Sequence, residues 1–288
     1  MISTIPVTSP RSLAEAYALL AARPRGLRIL AGGTDLMVQL NARVGLERFG
    51  HVLDLWGVDE LRGIALAAGL LSIGALATYS DLLRSPLVRE ALPALADVSR
   101  EVGAWAIQNR GTLGGNICNA SPAGDTLPIL LAAGATLTLG GPRGERRVPI
   151  EEFFLGYRKT ALGADELLVR VELPALSPGE RLVYRKVGTR RAQSISRTFL
   201  ALRATPERER LTGIRCGAGC VAPIPMRCRG VEAALEGRTI DGPALAVARA
   251  ALEGEIRPIS DLRASDEYRR QVTGNVLERL VLGLLGRE

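Results

Sequence analysis

The sequence predicts an α+β fold built in two parts, and three observations carry the prediction. Short apolar strands alternate with helices through the first part. Two glycine-rich turns, near residues 31–35 and 109–125, interrupt that alternation. After a Pro/Ser/Gly-rich stretch, Pro174 to Gly179, three strand patterns are followed by three helix patterns.

The first helix opens at a capping box, Ser12-Leu13-Ala14-Glu15, and Leu13, Ala16, Tyr17 and Leu20 recur at i, i+3, i+4 and i+7 to about Ala22. Pro24 and Gly26 stop it. Leu27–Ala31 is a strand, Leu36 to Leu40 a short helix and His51–Leu55 a second strand. These elements make a small α/β subdomain, residues 1 to about 57. Gly63 to Ala67 and Leu70 to Ala75 then form a hairpin bent at Ala68-Gly69. Tyr79 to Leu83 and Leu87 to Val102 are helices, broken by Ser85-Pro86. A helix over Thr126 to Ala133 precedes the strand Ala135–Leu139 and a turn at Gly140-Gly141-Pro142. Glu166 to Leu173 is a strand closed by Pro174, so a second subdomain covers residues 58–175. Residues 176–288 carry the strands Arg181–Val187, Ser196–Ala204 and Leu211–Val221, then the helices Cys228–Glu236, Ala244–Glu253 and Asp266–Leu285.

Composition excludes several functions. The 288 residues suffice for two compact domains. Apolar residues make up 47% of the chain, yet no run approaches the roughly 18 uninterrupted apolar residues of a membrane span. Met1 to Pro6 shows neither a charged n-region nor an apolar h-region, so a soluble cytoplasmic protein is expected. The net charge of +7 comes almost wholly from arginine, with Lys159 and Lys186 as the lysines. Basic residues alternate with acids, as in Glu207-Arg208-Glu209-Arg210, and no basic stripe interleaved with aromatics marks a nucleic-acid binder. Cys216, Cys220 and Cys228 match neither zinc nor ferredoxin spacings, and Cys118 stands alone. His51, the single histidine, is expected at a strand edge. No metal site and no acid–base or nucleophile constellation is therefore expected.

The two glycine turns carry the chemistry instead. In Leu27-Arg28-Ile29-Leu30-Ala31-Gly32-Gly33-Thr34-Asp35-Leu36 a strand runs into two glycines and a helix start that Thr34 or Asp35 can cap. Free N–H groups at such a junction suit a phosphate. In Asn109 to Asp125, Gly114 and Gly115 permit φ > 0 and close approach, Asn116 tolerates the same turn, and Thr112 and Asn116 add side-chain donors. Asp125 opens the next helix and can cap it. Neither turn is GxGxxG or a Walker loop. Two anchors far apart in sequence suit a ligand with two anchoring needs, such as a dinucleotide.

Ala31-Gly32-Gly33-Thr34-Asp35, Asn109 to Asn116 and Ser121 to Asp125 resemble the two FAD-binding loops of the flavoprotein (medium) subunit of molybdenum hydroxylases, the xanthine dehydrogenase and carbon monoxide dehydrogenase type. Pro10 to Leu20, Leu53-Asp54-Leu55, Ile73-Gly74-Ala75, Glu151 to Phe154, Gly219 to Pro225 and Asp261 to Arg269 extend the resemblance along nearly the whole chain. It implies a two-subdomain FAD-binding fold of the vanillyl-alcohol-oxidase/PCMH type, residues 1–175, and a C-terminal α+β domain, residues 176–288, with a small antiparallel sheet and helices. Carried over by position, Ile29, Leu30, Ala31, Gly32, Gly33, Thr34, Asp35 and Leu36 line one side of FAD, and Thr112, Gly114, Gly115, Asn116 and Asn119 the other. Asp125 accepts hydrogen bonds from the cofactor, and Leu168 and Lys186 are further contacts. For Lys186 the alternatives are a compact ammonium near the flavin N1/O2 or ribityl region, or a plain surface lysine. The resemblance implies partners as well: a large molybdopterin-binding subunit and a small [2Fe–2S] subunit, in a dimer of heterotrimers, with electrons passing through FAD to an external acceptor. A stand-alone FAD oxidoreductase and a non-catalytic nucleotide-binding assembly module stay open as other readings.

Overall fold

The computed structural model of the protein describes residues 5–22, 25–42 and 49–287, so Pro24 lies outside the described residues. The chain begins with β1 (Val7–Thr8), α1 (Leu13–Ala22), β2 (Leu27–Leu30), α2 (Leu36–Asn41) and β3 (His51–Asp54). The three strands are parallel in the order β1-β3-β2, which is the pairing that intervening helices permit. Ser12 caps α1 as its sequence predicts, accepting from the Glu15 N–H at 3.2 Å. The return arm of the box lands one residue early, on the Arg11 N–H at 2.7 Å. His51 begins β3, as expected of a residue at a strand's edge, with Nε2 2.8 Å from Thr8 Oγ1. Ala16 and Leu20 of α1 bury against Leu53, Leu55, Val58 and Leu61, and Leu76, Leu167 and Val169 join the same cluster. One apolar cluster thus welds the first subdomain to the second.

The second subdomain starts with β4 (Ile64–Ala67), β5 (Leu70–Gly74), α3 (Tyr79–Arg84), α4 (Pro86–Ala91), α5 (Pro93–Ser99), α6 (Trp105–Gln108), α7 (Leu113–Asn119) and α8 (Leu127–Ala133). It continues with β6 (Thr136–Gly141), β7 (Gly144–Pro149), α9 (Ile150–Phe153), β8 (Phe154–Gly156), β9 (Lys159–Thr160) and β10 (Leu167–Pro174). Its antiparallel sheet has the order β4-β5-β10-β6-β7. Three sequence expectations change here. The helix expected over Leu87 to Val102 breaks at Leu92, because Pro93 has no N–H to continue it and instead opens α5. The turn expected at Gly140-Gly141-Pro142 shifts forward: β6 runs to Gly141, and the chain reverses at Pro142-Arg143. The strand that follows, β7, was not expected, since Glu145, Arg146 and Arg147 are all exposed and show no apolar alternation.

The last part holds β11 (Arg181–Val187), β12 (Thr198–Glu207), β13 (Arg210–Gly219), β14 (Met226–Arg227), α10 (Arg229–Leu235), α11 (Gly242–Glu255) and α12 (Asp266–Leu284). The strands pair antiparallel in sequence order. Along β12 the pleat divides the core: Phe199 and Ala201 face the second subdomain's cluster, while Leu200, Leu202 and Ala204 face the cluster of α10, α11 and α12. Arg203, buried on β12, ties the connecting segment down. It pairs bidentately with Glu180 at 2.5 and 2.6 Å and donates to the carbonyls of Ala133, Pro174 and Ala175.

A candidate cofactor cavity between two glycine turns

The first turn follows directly from β2. Gly33 adopts φ +80°, which an L side chain rarely tolerates, and the chain then enters α2 through Asp35. The backbone N–H groups of Thr34, Asp35 and Leu36 have no hydrogen-bond partner among the described residues. The second turn is built differently from its expectation. Neither Gly114 nor Gly115 has positive φ, and both lie in the first turn of α7, capped by Thr112. That turn is locked to the hairpin strand's end: the Leu113 N–H donates to Ala77 O at 3.0 Å and the Gly114 N–H to Ala75 O at 2.9 Å. The Gly115 N–H donates to Thr112 Oγ1 at 3.0 Å.

Glycine is needed here for contact between chain segments. A Cβ at Gly114 would lie 2.6 Å from Ala75 O, and one at Gly32 would lie 1.8 Å from Arg110 O. The two turns therefore pack backbone to backbone. Arg110 reinforces the junction, donating from Nε to Gly32 O at 3.4 Å while its guanidinium stacks 3.7 Å over the Trp56 ring. Gly115 differs: a Cβ there would meet Thr112 Oγ1 at 2.8 Å and otherwise nothing nearer than Ala31 Cβ at 4.0 Å.

Between the turns lies a cavity of about 780 Å³, within the range of small-molecule and cofactor sites. Ile29, Ala31, Gly32, Gly33, Thr34, Asp35 and Leu36 line it from the first turn, and Thr112, Gly114, Gly115, Asn116 and Asn119 from the second. Leu168 of β10 joins them. Three expected residues are not in its lining. Leu30 is one. Asp125 and Lys186 are the others, and they pair with each other at 2.7 Å.

The ammonium of Lys186 also donates to Glu101 O at 3.1 Å, and its side chain is 2% exposed, so it is no surface lysine. The second Asp125 oxygen accepts from Ser196 Oγ at 2.7 Å. Burial raises the Asp125 pKa, against the opposing pull of Lys186 and Ser196. Asp125 does not cap α8 either; Thr126 holds that position, and its hydroxyl donates to Asn116 Oδ1 at 2.7 Å. The Asp125–Lys186 pair thus stands behind the cavity wall and reaches it through Thr126 and Asn116.

Sequence reasoning missed other lining residues: Arg28, Tyr79, Val102, Ile107, Cys118 and Arg158. Burial pushes the Tyr79 hydroxyl pKa up and the Cys118 thiol to about 12, so both stay neutral. Arg158 arrives from the β8–β9 hairpin, far along the chain, and donates from Nη1 to Asn119 Oδ1 at 2.9 Å. Arg28 and Cys118 lay inside the two segments already singled out; the rest carry no local signal. Among the described residues no three His, Cys, Asp or Glu side chains gather as a metal ion would need.

Residues 3–176 match the family described as FAD binding domain in molybdopterin dehydrogenase, and residues 183–284 match the CO dehydrogenase flavoprotein C-terminal domain. The chain belongs to this flavoprotein family. It is 31% identical to the carbon monoxide dehydrogenase medium chain of Hydrogenophaga pseudoflava, over 94% of this chain and 93% of that one. It is 32% identical to a xanthine dehydrogenase FAD-binding subunit of Escherichia coli O157:H7, over 94% and 92% of the two chains. A chain of the reconstituted CO dehydrogenase from Oligotropha carboxidovorans superposes with a TM-score of 0.94 at 29% identity, covering 100% of both. The protein is thus a flavoprotein subunit of an oxidoreductase, and FAD is its cofactor. The cavity fits that group: it has dinucleotide scale, unpartnered N–H groups at Thr34 to Leu36, and a cradle at Gly115 that a Cβ would fill. No helix among the described residues is long and apolar enough to cross a membrane.

Proposed function

We propose that this flavoprotein subunit takes electrons from a [2Fe–2S] subunit and passes them to an external acceptor, within a molybdopterin-dependent hydroxylase or dehydrogenase. The observation that supports this best is the cavity, walled by two turns whose backbones interlock at Gly32 and Arg110. When bound, FAD supplies the exchange of electrons between donor and acceptor, and the protein supplies binding and orientation. In this reading Ile29, Ala31 to Leu36, Thr112, Gly114, Gly115, Asn116, Asn119 and Leu168 hold the cofactor. Asp125 and Lys186 fix the α7–α8 corner behind it and stand as its polar border. Residues 1–175 form the FAD-binding unit, in subdomains 1–57 and 58–175, and residues 176–288 the C-terminal unit.

The partners are a large molybdopterin-binding subunit and a small [2Fe–2S] subunit, assembled as a dimer of heterotrimers in the cytoplasm. Native purification tests the reading. The chain is expected to co-purify with two further polypeptides carrying molybdenum and iron, with one FAD per copy. In that complex the flavin absorbance bleaches on addition of the complex's substrate, and the isolated yellow chain stays oxidised. A colourless chain that purifies alone refutes the proposal. Turnover by the isolated chain moves it to a stand-alone oxidoreductase.

A further inference from the structure

We propose that Arg158 is the cation that neutralises the diphosphate of the bound FAD. The inference rests on the FAD reading above and deepens it. A diphosphate carries about two negative charges, and taking them out of water requires donors or cations in place. The second glycine turn cannot supply them from the first turn of α7. The N–H groups of Leu113, Gly114, Gly115 and Asn116 all donate within the protein, to Ala77 O, Ala75 O, Thr112 Oγ1 and Thr112 O. The free N–H groups at Thr34 to Leu36 belong to one wall alone and precede a helix of six residues, too short for a strong dipole.

Arg158 fills that gap. It occupies the turn of the β8–β9 hairpin at φ +52°, a left-handed backbone that a non-glycine residue rarely adopts. The hairpin brings its guanidinium between the two walls. Nη1 donates to Asn119 Oδ1 of the second wall at 2.9 Å and stands 3.8 Å from Asp35 Oδ2 of the first. Asp35 is itself held by Gln39, whose Nε2 donates at 2.6 Å. Nε and Nη2 of Arg158 have no partner among the described residues, which leaves donors for an anion on a residue that lines the cavity. The charged residues of the lining are Arg28, Asp35 and Arg158. Arg28 stacks over Phe49 at 5.3 Å. Without Arg158, the Asp35 carboxylate would face a diphosphate uncompensated at this point.

The test uses the full chain freed of flavin and titrated with FAD, ADP and riboflavin at several salt concentrations. Arg158→Ala is expected to weaken FAD and ADP about ten- to a hundredfold, the range for charge-assisted hydrogen bonds. It leaves riboflavin, which has no phosphate, within about twofold, and it flattens the salt dependence of FAD binding. Arg158→Lys restores part of the loss, and Arg158→Gln, polar but neutral, restores none. These two variants carry the test if the alanine chain does not fold. Unchanged FAD affinity and salt slope overturn the proposal. So does an equal loss for riboflavin and ADP, which would assign Arg158 to cavity shape. A wild-type chain with no FAD affinity overturns the FAD reading itself, and this proposal with it.

Discussion

Gly32 and Gly115 look alike in sequence, yet the structure predicts opposite outcomes for the same substitution. In Gly32→Ala the new methyl would lie 1.8 Å from Arg110 O, where ordinary contact begins near 3.4 Å. The two walls must therefore part by about 1.6 Å, the difference between those distances. Overpacking of this kind costs about 1–3 kcal/mol. At about 2–4 °C per kcal/mol for chains of this size, the melting temperature falls by several degrees. The Arg110–Gly32 bond and the Arg110–Trp56 stack loosen in the same movement.

Gly115→Ala behaves otherwise. The position is helical, so alanine gains about 1 kcal/mol of helix propensity. Crowding of the Thr112 cap at 2.8 Å removes about the same amount. Stability stays within about 1 kcal/mol of wild type, while a methyl now stands in the cavity. Thermal melts without flavin and fluorescence titration with FAD separate the two variants. Gly32→Ala is expected to lose stability and FAD together; Gly115→Ala loses about tenfold in FAD affinity alone. A Gly32→Ala chain with wild-type melting and affinity would refute the interlocked-wall argument. A Gly115→Ala chain that melts as early as Gly32→Ala would show that this glycine packs against protein instead of the cavity.

Lys186→Met leaves Asp125 buried with Ser196 as its remaining partner and costs about 3–5 kcal/mol near neutral pH. Burial already raises the Asp125 pKa and loss of the ammonium raises it further, so the folded variant takes up a proton more readily than the unfolded chain. Its deficit in urea midpoint accordingly narrows as the pH falls below neutral, and a deficit independent of pH contradicts the pairing. Glu180 titrates with the opposite sign: hydrogen bonding from Arg203 holds its pKa below the usual glutamate range. The stability it contributes is present above the unfolded value of about 4.3 and is lost as pH falls through the depressed one. Glu180→Gln flattens that part of the acid unfolding curve, and an unchanged curve excludes the pair as its cause. Removing the other partner, Arg203→Ala, costs about 3–5 kcal/mol, because it strands Glu180 and releases the carbonyls of Ala133, Pro174 and Ala175 together.

What was legible in the sequence is what is local in the chain. The strand β11 falls on the expected residues, Arg181–Val187, and the capped helix α1 ends at the expected Ala22. Both depend on periodicity and on caps a few residues apart. The cavity depends on pairs far apart: Arg110 with Gly32 across 78 residues, Lys186 with Asp125 across 61, Arg158 with Asn119 across 39. No window along the chain contains such a pair, so the charges around the site could be counted but not placed. The Gly114-Gly115 stretch shows the same division within one motif. Glycine pairs ordinarily signal a flexible turn, because their backbone entropy opposes a helix. Here the capping hydroxyl of Thr112 and the carbonyls of Ala75 and Ala77 satisfy the N–H groups that would otherwise oppose a helix start, and α7 forms over the glycines. Those carbonyls come from the segment just after β5. Satisfying these groups internally leaves this turn less to offer an anion, and that is the gap the role proposed for Arg158 would fill.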